Sequence, residues 1–287
     1  MNSPFRKIGI AIAFSPTAGA ILREAARLQQ LFNAELVVIH VGARTVETES
    51  KINDLLQVAA LEPANVQLKW KSGDPVREVL KCCNEEHIDL LVAGALKKEN
   101  LVNHYIGTIG RKMLRKANCS LFIICSPSMN PQSIQHIVVN AEDSPFIKEA
   151  IHAACDIGKL ESCAWIHVVR ELKMLGLVLA ANEQSNQQEY AESKQHLVQD
   201  EIDQVEKILA AIPHEGLKIN IKMLSGKSGF ELAHFAERKH ADLLIVGAPS
   251  RRFSLFDRVF QHDLEYIFAN MPCNLLMIQP KPASSNG

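Results

Sequence analysis

The sequence predicts an α/β protein made of two tandem five-stranded parallel sheets, Rossmann-like and doubly wound. Three observations carry that expectation. Apolar runs of strand length alternate with helical patterns, the pattern occurs twice along the chain, and 287 residues suit two domains. The repeat is the most specific of the three. SGDPVREVLKCCNEEHIDLLVAGA from Ser72 aligns without a gap on SGKSGFELAHFAERKHADLLIVGA from Ser225, and Ser72, Gly73, Glu78, His87, Asp89, Leu90, Leu91, Gly94 and Ala95 recur. Upstream, IGIAIAFSP from Ile8 matches IVVNAEDSP from Ile137, and IHV at Ile39 matches IHV at Ile166. Downstream, NCSLFII at Asn118 matches PCNLLMI at Pro272.

In the first copy an apolar strand at 7–14 precedes a helical pattern at 17–32, where Ile21, Leu22, Ala25, Ala26, Leu28 and Leu31 keep a three-to-four spacing. A strand ELVVIHV at 35–41, a helical stretch at 48–61 and a strand VQLKW at 66–70 follow. A helix at 74–86, a strand DLLVAG at 89–94, a helix at 107–117 and a strand SLFIIC at 120–125 complete the copy. Strands that are apolar throughout and separated by helices belong to a parallel sheet covered on both faces. The polar segment SPSMNPQS at 126–133 reads as a linker, which sets the domains at 1–128 and 134–280.

The spacing between matching residues widens between IHV and the SG block, so the second copy carries an insertion at 170–212. Its parts are an apolar stretch, 171–184, and an amphipathic helix, 187–212, with Leu197, Val198, Ile202, Val205, Ile208 and Leu209 on one side. The helix fits a packing role on its own sheet. The apolar stretch is either shielded by the rest of the protein or walls a pocket for an apolar small molecule near Met174–Ala181. The last strands, 120–125 and 274–279, are apolar where a sheet edge is expected, and an open apolar edge invites pairing with an equivalent one. The halves are thus expected to form an intramolecular pseudo-dimer, with a homodimer left open.

Composition excludes several classes. Lys and Arg number 31 against 32 Asp and Glu, a net charge of −1 that speaks against nucleic acid and polybasic membrane contacts. The longest apolar run, Met174–Ala181, falls well short of the roughly 20 residues that cross a bilayer. The amino-terminal apolar run reads as the first strand, so a cytoplasmic location is expected. Seven cysteines without a CxxC pair suggest neither a disulfide framework nor a zinc site, and His104 and His262 lack companion metal ligands. There is no P-loop, no Ser-His-Asp arrangement, and no SGGxDS or HxGH of an adenylating enzyme at the strand-one exits AFSPTAG and AEDSPFI.

In such sheets ligands sit beyond the carboxyl ends of the strands. After strand four the first copy reads GALKKENLVNHYIGTIGRKM, with Gly94 leaving the strand and Gly107-Thr108 opening a helix whose amide groups and dipole suit an anion. With the duplication and strand order, this loop resembles tandem-domain universal stress proteins, whose nucleotide-binding members carry G-x2-G-x9-G-[ST]. The resemblance covers about 7–126 and 136–279. It implies a stress-response binding protein holding ATP in domain 1, with Gly94, Gly107 and Thr108 at ribose and phosphates and the Val41 backbone at the base. Lys97 stands in place of the second glycine and can pair with a phosphate. Ala13 stands where those members place an aspartate.

The second copy departs differently: Glu142 takes the aspartate position, whereas Phe260-Gln261 replaces the helix-opening Gly-Thr, so domain 2 is expected to be degenerate for nucleotide. The alternatives are a weak ATP hydrolase and a nucleotide-independent module that binds a partner or an apolar ligand. His40 and His167 are expected after strand two near the cleft, and His87 and His240 just before strand four. In all four cases a satisfied structural histidine competes with a ligand contact.

Overall fold

A ten-stranded sheet organises the chain. The computed structural model describes residues 3–97, 104–142, 144, 146–171, 187–225, 229–248 and 262–279. Its first half runs β1 (Lys7–Ile12), α1 (Ala18–Phe32), β2 (Glu35–Val41), α2 (Val46–Val58), β3 (Val66–Lys71), α3 (Pro75–Glu85) and β4 (Leu90–Gly94). A short hairpin, β5 (Leu96–Lys97) and β6 (His104–Tyr105), leads to α4 (Thr108–Lys116) and β7 (Ser120–Ile124). The second half runs β8 (His136–Asn140), α5 (Ile147–Glu161), β9 (Trp165–Glu171), α6 (Gln187–Ala210) and β10 (Ile219–Leu224), then α7 (Phe230–Arg238), β11 (Leu243–Gly247), α8 (His262–Ala269) and β12 (Asn274–Ile278).

The order across the sheet is β10-β9-β8-β11-β12-β7-β4-β1-β2-β3, parallel throughout except for the antiparallel pair β12·β7. The strands are apolar on both faces because helices cover both. Ile8, Ile10, Leu90, Leu91 and Val92 are all fully buried. Ile8, Ile10 and Ile12 pack with residues of α1, α2, α5 and α6 on one face. Val37, Ile39 and Leu91 pack with residues of α3, α4, α7 and α8 on the other. Local chemistry sets several boundaries. Thr45 and Thr48 form a capping box that opens α2, and Asp74 caps α3 ahead of Pro75.

Two strands that would otherwise be sheet edges pair with each other at the centre, Leu275 opposite Ile123, Leu276 opposite Phe122 and Met277 opposite Leu121. Side chains close the ends of this seam. The Ser120 hydroxyl donates to the Gln279 carbonyl at 3.1 Å and accepts the Gln279 N–H at 3.0 Å, while Asn274 Oδ1 accepts the Cys125 N–H at 2.9 Å. Across the same seam Glu265 of α8 is paired with both Arg111 and Arg115 of α4. Between α1 and α5 a half-buried Arg27 holds the buried Glu24 and Glu161.

The recurring Asp and His before strand four have structural work. Asp89 Oδ2 accepts the N–H groups of Arg6 and Lys7 at the start of β1, and Asp242 Oδ2 accepts those of Gln135 and His136 at the start of β8. His87 and His240 are exposed and take positive φ, 53° and 49°, in the turns that follow α3 and α7.

Strand registers correct the pairing of the two IHV segments. Glu35 sits beside Lys7 and Trp165 beside His136, so Arg170, not His167, occupies in β9 the place His40 has in β2. His167 is the third residue of β9 and lies toward its amino end, away from the cleft. The physical equivalence shows in the bonds. His40 Nδ1 lies 3.3 Å from the carbonyl of Ile12, and Arg170 Nη1 donates to the carbonyl of Ala141 at 3.0 Å, each carbonyl closing its strand one. In the inserted helix Val205 and Leu209 are buried, whereas Leu197 is 40% exposed, so only the later part of its apolar side reaches the core. The apolar stretch Met174–Ala181 and Phe260-Gln261 lie outside the described residues. No described helix is long and apolar enough to cross a membrane.

Candidate functional site

Strand order locates the site. In the first half β1 is flanked by β2 on one side and β4 on the other, so the chain reverses direction across the sheet between β1 and β4 and a crevice opens above their carboxyl ends. Four of the five expected site residues border it. Gly94 ends β4, Lys97 lies three residues after it in the hairpin facing His104, and Gly107-Thr108 opens α4 with no side chain capping the helix. The four leading amides of such a helix have no partner within it, which leaves donors and the positive dipole end for an anion. Val41, the fifth, ends β2 beside Lys71 of β3, one strand further along the sheet. Gly94, Lys97 and Thr108 are exposed. Burial, and then the charge of Lys97, hold the His104 imidazole below its usual range.

Both glycines also have a packing reason. A Cβ on Gly94 would lie 2.5 Å from Ile21 Cδ1 of α1, and one on Gly107 would lie 2.6 Å from Leu96 Cδ1 of the hairpin. Gly107 has φ −70° and ψ 176°, open to any residue, so space rather than conformation selects glycine there.

A feature that pattern reading missed roofs the carboxyl ends of β1, β2 and β3. Phe14 lies 4.9 Å from His40 and His40 lies 5.1 Å from Trp70, measured between ring centroids. The Arg44 guanidinium stands over Trp70 at 5.8 Å and the Lys51 ammonium over Phe14 at 5.7 Å. Phe14 is 44% exposed. The signal was present as one aromatic or imidazole at the end of each of three strands, but it needs the register Ile12–His40–Trp70 to become a cluster.

The second half has the corresponding reversal between β8 and β11, and there Ser144 and Phe146 lie against Gly247. A Cβ on Gly247 would lie 2.3 Å from Ser144 Oγ and 3.3 Å from the main-chain carbon of Phe146. Ser144 Oγ also accepts the Phe146 N–H at 3.2 Å, which holds that loop down. Among the described residues, no group of three His, Cys, Asp or Glu could hold a metal ion.

A family model described as the universal stress protein family matches residues 43–124. A curated relative, universal stress protein YxiE of Bacillus subtilis (strain 168), is 23% identical over 146 residues, which is 42% of this chain and 99% of that protein. Among solved structures, a universal stress protein from Archaeoglobus fulgidus DSM 4304 superposes with a TM-score of 0.70 at 12% identity, covering 98% of this chain and all of its own. A functionally unknown protein from Pseudomonas aeruginosa PAO1 gives 0.68 at 16% identity, over 98% of this chain and 95% of its own. At these identities the structural likenesses speak to the fold, an α/β layer with a mostly parallel sheet.

Proposed function

We propose that this member of the universal stress protein family, matched over residues 43–124, is a stress-response binding protein made of two tandem domains joined as an intramolecular pseudo-dimer, with one nucleotide site in domain 1. One observation carries the asymmetry. The first crevice is bordered by exposed residues and an uncapped helix start, whereas in the second half Ser144 and the Phe146 main chain lie against Gly247. In this reading ATP lays its phosphates on the amides of Gly107 and Thr108, Lys97 neutralises part of their charge, and Gly94 admits the ribose. The base lies by Val41 and the half-exposed ring of Phe14. Ala13 gives the nucleoside no hydrogen bond, so affinity rests on phosphate contacts and ring stacking, and no residue is assigned a catalytic step.

A second reading, a nucleotide-independent partner-binding module, is favoured by the Ile21 and Leu96 side chains that already lie against Gly94 and Gly107. Calorimetric titration of ATP into the wild type and a Gly107→Phe variant separates the two. Heat of binding that the variant abolishes supports the nucleotide site. No heat from the wild type at millimolar ATP refutes it and leaves the module.

A further inference from the structure

A cavity of about 610 Å3 opens at the opposite, amino-terminal edge of the second half, under the starts of β8, β9 and β10 and the end of α7. Its wall combines His136, Trp165, His167, Asn220, Arg238 and Lys239, with no carboxylate among the lining residues. The Trp165 ring is 40% exposed and stacks over the His167 ring with 9° between their planes and 5.9 Å between centroids. The Lys218 ammonium stands 5.9 Å from the other centre of this cluster, the Trp165 ring. The buried Nδ1 of His136 has no hydrogen-bond partner among the described residues, an open polar position in a wall that also carries Arg238 and Lys239.

The first half carries a different surface at the equivalent place. Register and repeat place Lys7, Glu35, Val37, Gln67, Glu85 and Glu86 where the second half has His136, Trp165, His167, Asn220, Arg238 and Lys239. In the first half the charges cancel: Lys7 pairs with Glu35 and Glu86, Lys69 with Glu86, and Lys71 with Glu85. The second half has exchanged three carboxylates for a tryptophan, an arginine and a lysine. Asp242, the neighbouring acid, is turned to the backbone amides of Gln135 and His136. Burial, followed by the charges of Lys239 and His136, holds His167 below its usual range. Asn220 Nδ2 lies 3.3 Å from its Nδ1, an arrangement that suits a neutral ring keeping its proton on Nε2.

We propose that this cavity binds a small molecule in which an anionic group is attached to a planar ring, the anion meeting Arg238, Lys239 and His136 and the ring lying on Trp165. Guanidinium and ammonium groups grip a phosphate or carboxylate, and an exposed indole face takes a flat ring. Neither half of such a molecule alone uses the whole wall.

Phenyl phosphate is the probe, with inorganic phosphate and phenol as its two parts. The chain has two tryptophans, Trp70 and Trp165, so a Trp70→Phe background isolates the emission of Trp165, and calorimetry on the wild type gives the same constant without substitution. Saturable quenching by phenyl phosphate is expected, with either part alone weaker by about tenfold or more. The pair Arg238→Glu and Lys239→Glu restores the first half's carboxylates and is expected to weaken binding at least about tenfold with an unchanged melting profile. Gly107→Phe is expected to leave it unaltered. Absence of saturable binding below about 10 mM, or full binding by the double variant, would overturn the site. Inorganic phosphate binding as well as phenyl phosphate would overturn the ring assignment.

Discussion

Adding one methyl group at each of two matched glycines tests whether the two crevices differ in what lies against those glycines. Gly94→Ala places a carbon 2.5 Å from Ile21 Cδ1, the free end of a flexible side chain whose other near atom is Cγ1 at 3.4 Å. A rotamer adjustment of Ile21 relieves that contact at a cost of about 0.5–1.5 kcal/mol. Gly247→Ala places a carbon 2.3 Å from Ser144 Oγ, which is tied to the Phe146 N–H, and 3.3–3.4 Å from the Phe146 carbonyl group. That carbonyl accepts the Ala150 N–H at 2.9 Å and so anchors the start of α5. Relief requires moving main chain, for which overpacked sites typically lose about 1–3 kcal/mol, and the lost Ser144 bond adds about 0.5–1.5 kcal/mol.

The second variant is therefore expected to be less stable than the first by about 1–3 kcal/mol. For a chain of this size that difference corresponds to roughly 2–5 °C in Tm if all of it unfolds together, and about twice that if its half melts alone. Differential scanning calorimetry of both variants reads the difference directly. Equal losses, or a greater loss from Gly94→Ala, would refute the claim that the two glycines differ in what lies against them.

Burial outweighs Arg27 in setting the Glu24 carboxyl, whose pKa lies above 4.5 and is raised further by Glu161, while Arg27 stays charged despite its own burial. A raised folded-state value means that ionising Glu24 lowers stability as pH climbs from 4.5 through that value. Melting curves of Glu24→Gln against wild type should show the variant gaining relative stability over that window, and a pH-independent difference would contradict the assignment. Burial also pushes Cys125 to about 12 and Cys155 to about 11, while Cys83 is raised first by its hydrogen bond with Cys119 and then by burial. Six of the seven cysteines are buried and only Cys163 is intermediate, so a thiol reagent at pH 8 should modify about one group in the native protein and all seven in denaturant. Rapid native reaction of several thiols would show that the core opens.

Periodicity placed the strands at 7–14, 35–41, 66–70, 89–94 and 120–125 and the helices between them, each within a few residues of the structure, because burial on both faces forces an apolar run of strand length. The β5·β6 hairpin escaped notice. Its strands are two residues each, too short for any period to register, and it is held by bonds to the other half: Ile106 N–H to Phe268 and Met271 N–H to His104. The misassigned partner of His40 has a similar origin. Two identical triplets, IHV, outscored the real match because Arg170 and His40 share no chemistry except a bond to a carbonyl at the end of strand one.

By itself the sequence determined the alternation of elements, the repeat, and the glycine-bearing loop after β4, since each is written in neighbouring residues or in a self-comparison. Tertiary structure alone decided the rest. It set β12 against β7, joined Phe14, His40 and Trp70 into one row, laid Ser144 against Gly247, and gathered His136, Trp165, Arg238 and Lys239 around a cavity. These residues come from strands and helices far apart along the chain. Parallel pairing of crossover-linked strands brings them together, and which of them meet depends on register, where a shift of one residue turns every side chain to the other face.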